Sequence, residues 1–282
     1  LAREPRANPV PNTGTLGGGA GGAGGNNPAN AIGGAGLRLR GNANIIVNRG
    51  TLTGGMGGDG ITRGDAVRIT GNNNQLELLA GSSITGLLRV VSGTGNVLTL
   101  AGDTTDGTTS LNAATYSGFA RYEKAGASTW TLTGTTTGLT PWFVRGGVLS
   151  IADDGALGNS SGGLTLDGGT LNVTSNTTAT RTVSIGSGGG TFDVDLSRTL
   201  TLNGEVSSGG TLKKTGQGTL VLGAPNSYTG GTQLLAGRID VGSNTALGTG
   251  ALDMADGTTL GFAANNLNLA NAIVLSGVGD PI

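Results

Sequence analysis

One offset governs the second half of this chain. Lys124, Gly126, Thr129 and Leu132 recur as Lys214, Gly216, Thr219 and Leu222, each roughly 90 positions on. Gly147, Leu149, Ala156, Leu157 and Gly158 return at that offset as Gly237, Ile239, Ala246, Leu247 and Gly248. Val183 and Ile185 return as Ile273 and Leu275, and a one-residue shift is needed only near Asp167 and Asp256. Agreement at one offset across Gly, Lys and apolar positions marks a long repeat, which restricts the chain to stacked or tandem units.

Within the unit the pattern is that of short strands. From Gly209 to Leu252 the apolar residues Leu212, Leu220, Leu222, Leu234, Ile239 and Val241 alternate with Thr, Lys, Gln, Arg and Asp. Period-two alternation puts one face in a core and the other in water. Thr-Gly-Gln-Gly, Ala-Pro-Asn-Ser and Ala-Gly-Arg separate the strands, with residues that supply turn geometry. Fifty-eight Gly and seven Pro would suit low complexity, yet 35% of the residues are hydrophobic and spaced for strands. Many short strands joined by Gly-rich turns reconcile the two.

Taken in order, residues 1–36 read as a Gly/Pro-rich N-terminal arm or lead-in with almost no core-forming side chain. Strands begin at Leu37 and continue through Ile45–Val47, Thr51–Thr53, Asp65–Thr70, Gln75–Leu79, Ser83–Val91 and Asn96–Ala101. That spacing fits a sandwich, a barrel or a β-helix. Spacers longer than the two-residue Asn-Gly hairpin type, and very short elements, favour the helix. Asp103–Ser117 is Thr-rich and reads as a loop leaving the solenoid. The expected fold is all-β, a β-helix over 37–282, with the roughly 90-residue repeats starting near 119 and 209. The unit that begins near 209 breaks off after Leu275, so a further equivalent of Lys214 is expected near position 304 of a longer chain.

The motifs carry a resemblance. Gly216-Gln217-Gly218-Thr219-Leu220-Val221-Leu222, then Asn226-Ser227-Tyr228-Thr229-Gly230-Gly231-Thr232 and Ala236-Gly237-Arg238-Ile239, resemble the passenger-associated transport repeat of bacterial autotransporters. Gly118–Lys124 and Ser128–Gly134 resemble the same passengers. The resemblance covers about 118–282. It implies a right-handed parallel β-helix (a solenoid with Gly-rich turns) at the surface of a Gram-negative bacterium or released from it. It implies adhesion, self-association or virulence as the role, a host-cell or matrix protein, a glycan or a like passenger as partner, and no cofactor. Membrane attachment would come only through a C-terminal translocator barrel absent from this chain.

Composition bounds the alternatives. Net charge is −1 and 12% of residues are charged, so no basic stripe is expected and no nucleic-acid partner. Zero Cys excludes disulfides and thiolate metal sites. Zero His excludes Ser-His-Asp and Cys-His catalysis. Asp153-Asp154 is the nearest approach to a glycosidase carboxylate pair, and a β-helix acting on polysaccharide is the alternative function. Neighbouring strand residues point to opposite faces, however, and the repeat puts Ser243-Asn244 at the equivalent positions, which favours a turn and a non-enzyme.

Three further motifs are candidates. Arg63-Gly64-Asp65 is the tripeptide that integrins read, a guanidinium and a carboxylate separated by Gly; as a turn into Ala66–Ile69 it has an ordinary structural reading too. Gly54–Thr62 fits the calcium-binding nonapeptide of β-rolls, but as one copy without the tandem neighbour that shares each ion. Thr131/Thr133 and Thr199/Thr201 repeat the Thr-x-Thr of ice-binding solenoids without forming an array. No metal ligand set is expected.

Overall fold

The computed structural model describes residues 9–21, 32–104 and 108–276. Short strands stack in parallel into a solenoid of about nine turns. Successive turns lay their strands into two nine-stranded sheets and three smaller ones of four, five and three strands. The first nine-stranded sheet runs from Val10–Asn12 to Val206–Ser207, the second from Thr108–Asn112 to Ile273–Leu275. Registers are residue on residue, as in Leu149 opposite Trp130 and Leu171, or Phe192 opposite Leu171 and Lys214. Among the described residues helix is limited to short 3-10 turns such as Ala113–Thr115 and Asp154–Leu157.

Alternation sets the inside and the outside. In Thr170–Val173, Leu171 and Val173 are buried and Thr170 and Asn172 half-buried, and Thr199–Leu202 repeats the arrangement. The core is one continuous column of Leu, Val and Ile. Each fully buried side chain of this kind contributes about 1.5–3 kcal/mol. Four of the larger rings, Tyr116, Phe119, Tyr122 and Trp142, cluster with centroids 5.1 to 6.3 Å apart. They fill the turn where the four-stranded sheet ends at Tyr116–Ser117.

Three expectations change. Val10–Asn12 and Thr15–Gly17, read as part of a lead-in arm, are strands that pair with Ile46–Asn48 and Thr51–Thr53. Their backbone supplies the ladder although their side chains supply little core. The rest of that arm, residues 1–8 and 22–31, lies outside the described residues. The Thr-rich stretch read as a loop is also solenoid: Thr108–Asn112 pairs with Thr129–Thr133, and Leu111, Ala113 and Tyr116 are buried. β-branched Thr favours extended backbone, so Thr-richness here signals a strand.

The third change concerns Lys124 and Lys214. Lys is read among the polar residues between the apolar positions of 209–252, and Lys214 and its equivalent Lys124 are both fully buried. Each stem runs through the core and its Nζ turns back to three backbone carbonyls. Lys124 Nζ donates to Ala125, Gly126 and Gly146 at 2.7, 3.0 and 3.1 Å. Lys214 Nζ donates to Thr215, Gly216 and Ala236 at 2.5, 2.8 and 3.3 Å. Every partner is displaced by the same offset as the lysines. The amine satisfies carbonyls that a tight Gly turn would otherwise leave buried and unpaired.

The equivalent lysines do not lie on the same face. Arg121–Lys124, Trp142–Val144, Leu164–Leu166, Val183–Ile185 and Val206–Ser207 follow one another in the first sheet, which is four turns. Leu212–Thr215, carrying Lys214, is the next strand and belongs to the second sheet. The sequence repeat is therefore four turns plus one face.

Two outcomes are expected. Trp130 is 1% exposed and its Nε1 donates to the Ala101 carbonyl at 2.8 Å. In a Trp142→Phe background its fluorescence should be blue-shifted and resist acrylamide, and Trp130→Ala should cost about 3–5 kcal/mol in denaturant unfolding; a water-like emission maximum contradicts the packing. Burial pushes both Lys124 and Lys214 down to about 8, opposed at Lys214 by Asp193. Between that value and the ordinary 10.5 the unfolded chain binds more protons than the folded one, so stability rises with pH. The denaturation midpoint should therefore increase from about pH 7.5 to about 9, where tyrosine in the unfolded chain, with its ordinary value of about 10, is still mostly protonated. The gain should vanish in a Lys124→Met/Lys214→Met variant; a midpoint that falls over this range contradicts the assignment.

Candidate functional site

The region around Arg63 is organised by glycine backbone. Gly34 N donates to Gly19 O, Gly55 N to Gly34 O and Gly64 N to Gly55 O, each at 2.8 Å. A Cβ on Gly55 would overlap the Gly19 carbonyl, and one on Gly64 the Gly33 carbonyl. Main chains here touch with no room for a side chain, which only Gly permits. Gly64 is thus fixed by packing.

Arg63 and Asp65 are correspondingly engaged. Arg63 is exposed, and its Nη1 donates to the Gly54 carbonyl at 2.8 Å. Asp65 is 7% exposed, with its Oδ2 held by Arg68 Nη1 at 3.2 Å and Arg89 Nη2 at 2.9 Å. An integrin ligand needs a free carboxylate to meet a bound cation. This carboxylate is spent inside the protein, and the structure gives the tripeptide a scaffolding role.

What the fold assembles there is an arginine ladder. Parallel register sets Arg38 opposite Arg68, and Arg68 opposite Arg89, on three successive rungs. Neighbouring strands lie about 4.8 Å apart. The ladder and Arg63 line a cleft of about 430 Å³, with Leu87 at its edge and Asp65 as its one carboxylate. Arg38 is exposed, and no hydrogen bond or ion pair engages it among the described residues. Arg89 keeps a buried Nε without a partner. Composition had suggested no basic stripe; the three arginines are 30 and 21 positions apart in sequence and meet only through the rungs. The available signal was an apolar-Arg-apolar triplet followed by Gly-x-x-Asn: Leu37-Arg38-Leu39 before Gly41 and Asn44, Val67-Arg68-Ile69 before Gly71 and Asn74, and Leu88-Arg89-Val90 before Gly93 and Asn96.

The remaining motifs have structural explanations. Asp59 of the single nonapeptide accepts from Ile61 N, Thr62 N and Thr62 Oγ1 at 3.0, 2.9 and 2.7 Å, and these bonds hold its carboxyl below the usual range. It closes a small excursion pinned by the antiparallel bridge between Met56 and Arg63. Asp153 caps a 3-10 turn through Gly155 N. Asp154 takes Arg181 at both oxygens, 2.6 and 3.0 Å, and buried Arg181 also donates to the Leu157, Gly158 and Gly162 carbonyls. The pair is thus a turn cap and a salt bridge. Thr131 lies in the second sheet between Ser110 and Ser150, whereas Thr199 and Thr201 lie in the five-stranded sheet.

Comparison with known proteins agrees with this architecture. The model of the passenger-associated transport repeat matches residues 123–151 and 212–241. A 155-residue stretch, 54% of the chain, is 35% identical to the adhesin BmaC autotransporter of Brucella suis biovar 1 (strain 1330). That stretch corresponds to 4% of the relative's length. No solved structure matches. The two matched segments contain the two buried lysines and their carbonyl rings. The chain carries passenger-associated transport repeats and is similar over 54% of its length to an autotransporter adhesin of a Gram-negative bacterium, which places it at the cell surface or among secreted proteins.

Proposed function

We propose that this segment is a structural and adhesive module, a stiff rod that holds contact surfaces away from the cell and takes part in attachment to host cells or to like passengers. The observation that carries the reading is the 35% identity to a protein named an adhesin, in a solenoid that carries passenger-associated transport repeats. The polar side chains support it. Lys124, Lys214 and the Asp154–Arg181 pair tie turns to neighbouring rungs and Asp153 caps its own turn, so the nearest thing to a carboxylate pair is consumed in scaffolding. A polysaccharide-cleaving site would need a carboxylate with an open approach beside a second one. Partners on this reading are a host-cell or matrix protein, a glycan or a second passenger, and the consequence for the bacterium is virulence.

Fusing the segment to a translocator barrel in a non-adherent Gram-negative strain tests the proposal. Display should raise attachment to cultured cells or settle the bacteria into aggregates, relative to the barrel alone. Equal attachment and equal settling at matched surface density would overturn the adhesive reading. Release of reducing sugar from acidic polysaccharides by the purified chain would replace it with the enzymatic one.

A further inference from the structure

We propose that the cleft built on Arg38, Arg68 and Arg89, with Arg63 at its side, binds an anionic polysaccharide carrying sulfate or carboxylate groups along its length. The inference deepens the adhesive reading and rests on it, by naming the class of ligand and the residues that take it.

The first argument is charge that the fold does not balance. Four arginines face one carboxylate, giving the cleft a net charge of +3 on a chain whose total is −1. Like charges directly opposite one another on neighbouring strands destabilise a sheet. Elsewhere the protein avoids this. On the outside of the first sheet Arg121 meets Glu123 at 2.7 Å, Arg145 meets Glu123 at 3.6 Å, and Arg145 meets Asp167 at 3.6 Å. Two arginines there share two acids. In the cleft Asp65 orients Arg68 and Arg89 through a single oxygen and leaves Arg38 with nothing.

The second argument is geometry. Guanidinium groups recognise carboxylate and sulfate-type oxyanions through two parallel N–H bonds, where lysine offers only a point charge. The ladder spaces its forks by the strand separation, about 4.8 Å. A polysaccharide with one anion per sugar has a repeat of comparable length, so successive anions can meet successive rungs. Arg38 has its whole donor set free, and Arg89 has an unpartnered Nε. Asp65 already holds two of the forks in place, which lowers the ordering cost of binding.

The third argument is what the cleft lacks. None of its lining residues is aromatic. Single-stranded nucleic acids are held largely by stacking bases on aromatic rings. A cleft of arginines without rings suits a ligand whose recognition is in its charges.

The purified chain with heparin as probe decides the matter by calorimetry, at low and at moderate salt. Binding is expected, weakening as salt rises. Arg38→Glu should weaken it by about tenfold or more, the worth of one charge-assisted contact. Arg198→Glu, an exposed arginine far along the chain in the five-stranded region, is the control and should change nothing comparable. Arg38 is exposed, so its replacement should leave the circular dichroism spectrum unaltered, and Arg38→Lys should fall between the two. Polygalacturonate that competes with heparin assigns carboxylate as a sufficient anion; failure to compete assigns sulfate, and either result supports the cleft. Undiminished binding by Arg38→Glu, or equal losses in Arg38→Glu and Arg198→Glu, overturns the proposal. So does a single-stranded oligonucleotide that binds more tightly than heparin with the same dependence on Arg38. Because the assay uses the isolated chain, loss of the cleft proposal would leave attachment by displayed segments standing, and the reverse also holds.

Discussion

Parallel stacking in register is the constraint on which everything else in this molecule depends. Each rung sets its residues directly above those of the previous one, about 4.8 Å away. Whatever a position holds, it meets its counterpart. Apolar positions become the columns of the core. Turn positions become ladders too: Asn44 N and Nδ2 donate to Asn74 Oδ1, and Asn74 N and Nδ2 donate to Asn96 Oδ1, at 2.8 to 3.0 Å. Asn74 and Asn96 are buried, and each Nδ2 also reaches a Gly carbonyl one turn back. An isolated buried amide costs free energy, whereas a stacked one has its donors and acceptor answered by the rungs on either side.

The mismatch between repeat and turn shows what the repeat encodes. A unit of four turns plus one face brings the same residues to a different side of the rod. The local chemistry survives the change. Arg181, which binds the carbonyls of Leu157 and Gly158, is answered at the same offset by Asn271, whose Nδ2 donates to those of Leu247 and Gly248. A longer cation and a shorter amide perform one task, joining a turn to the rung beyond it. The repeat thus specifies turn closure, and the direction in which a face looks is left free. A receptor-binding face built from repeat residues would rotate about the rod from unit to unit.

Strand positions and the inward direction of Leu220, Leu222 and Ile239 were legible because period-two alternation is a local signal. Three features were not. Lys214 sits on the inward face of Leu212–Thr215, where alternation alone would place an apolar residue. Its long stem meets the apolar requirement and its amine meets the turn, and only the geometry reveals both. Val10–Asn12 carries almost no buried side chain and joins the solenoid through backbone hydrogen bonds, which sequence does not record. The Arg38–Arg68–Arg89 ladder was invisible to composition because charge counts ignore register. Once the fold is known, the recurring apolar-Arg-apolar triplet ahead of Gly-x-x-Asn makes it readable.

That ladder lies where the rod departs from regularity. The asparagine ladder measures the turns: Asn44 and Asn74 are 30 positions apart, Asn74 and Asn96 only 22. The longer turn contains the excursion pinned between Met56 and Arg63, and it brings Arg63 to the arginines of the four-stranded sheet. A uniform solenoid offers the same shallow surface at every level, so a concave site needs an interruption. The glycine contacts beneath it explain how the interruption is tolerated. Gly55 and Gly64 let the extra segment lie against the neighbouring rungs at main-chain distance, and the ladder of backbone hydrogen bonds continues through it. Replacing either Gly by even Ala would push the excursion off the rod and take Arg63 and Asp65 with it. The glycine that reads in sequence as disorder is the condition for the cleft in which four arginines face one carboxylate.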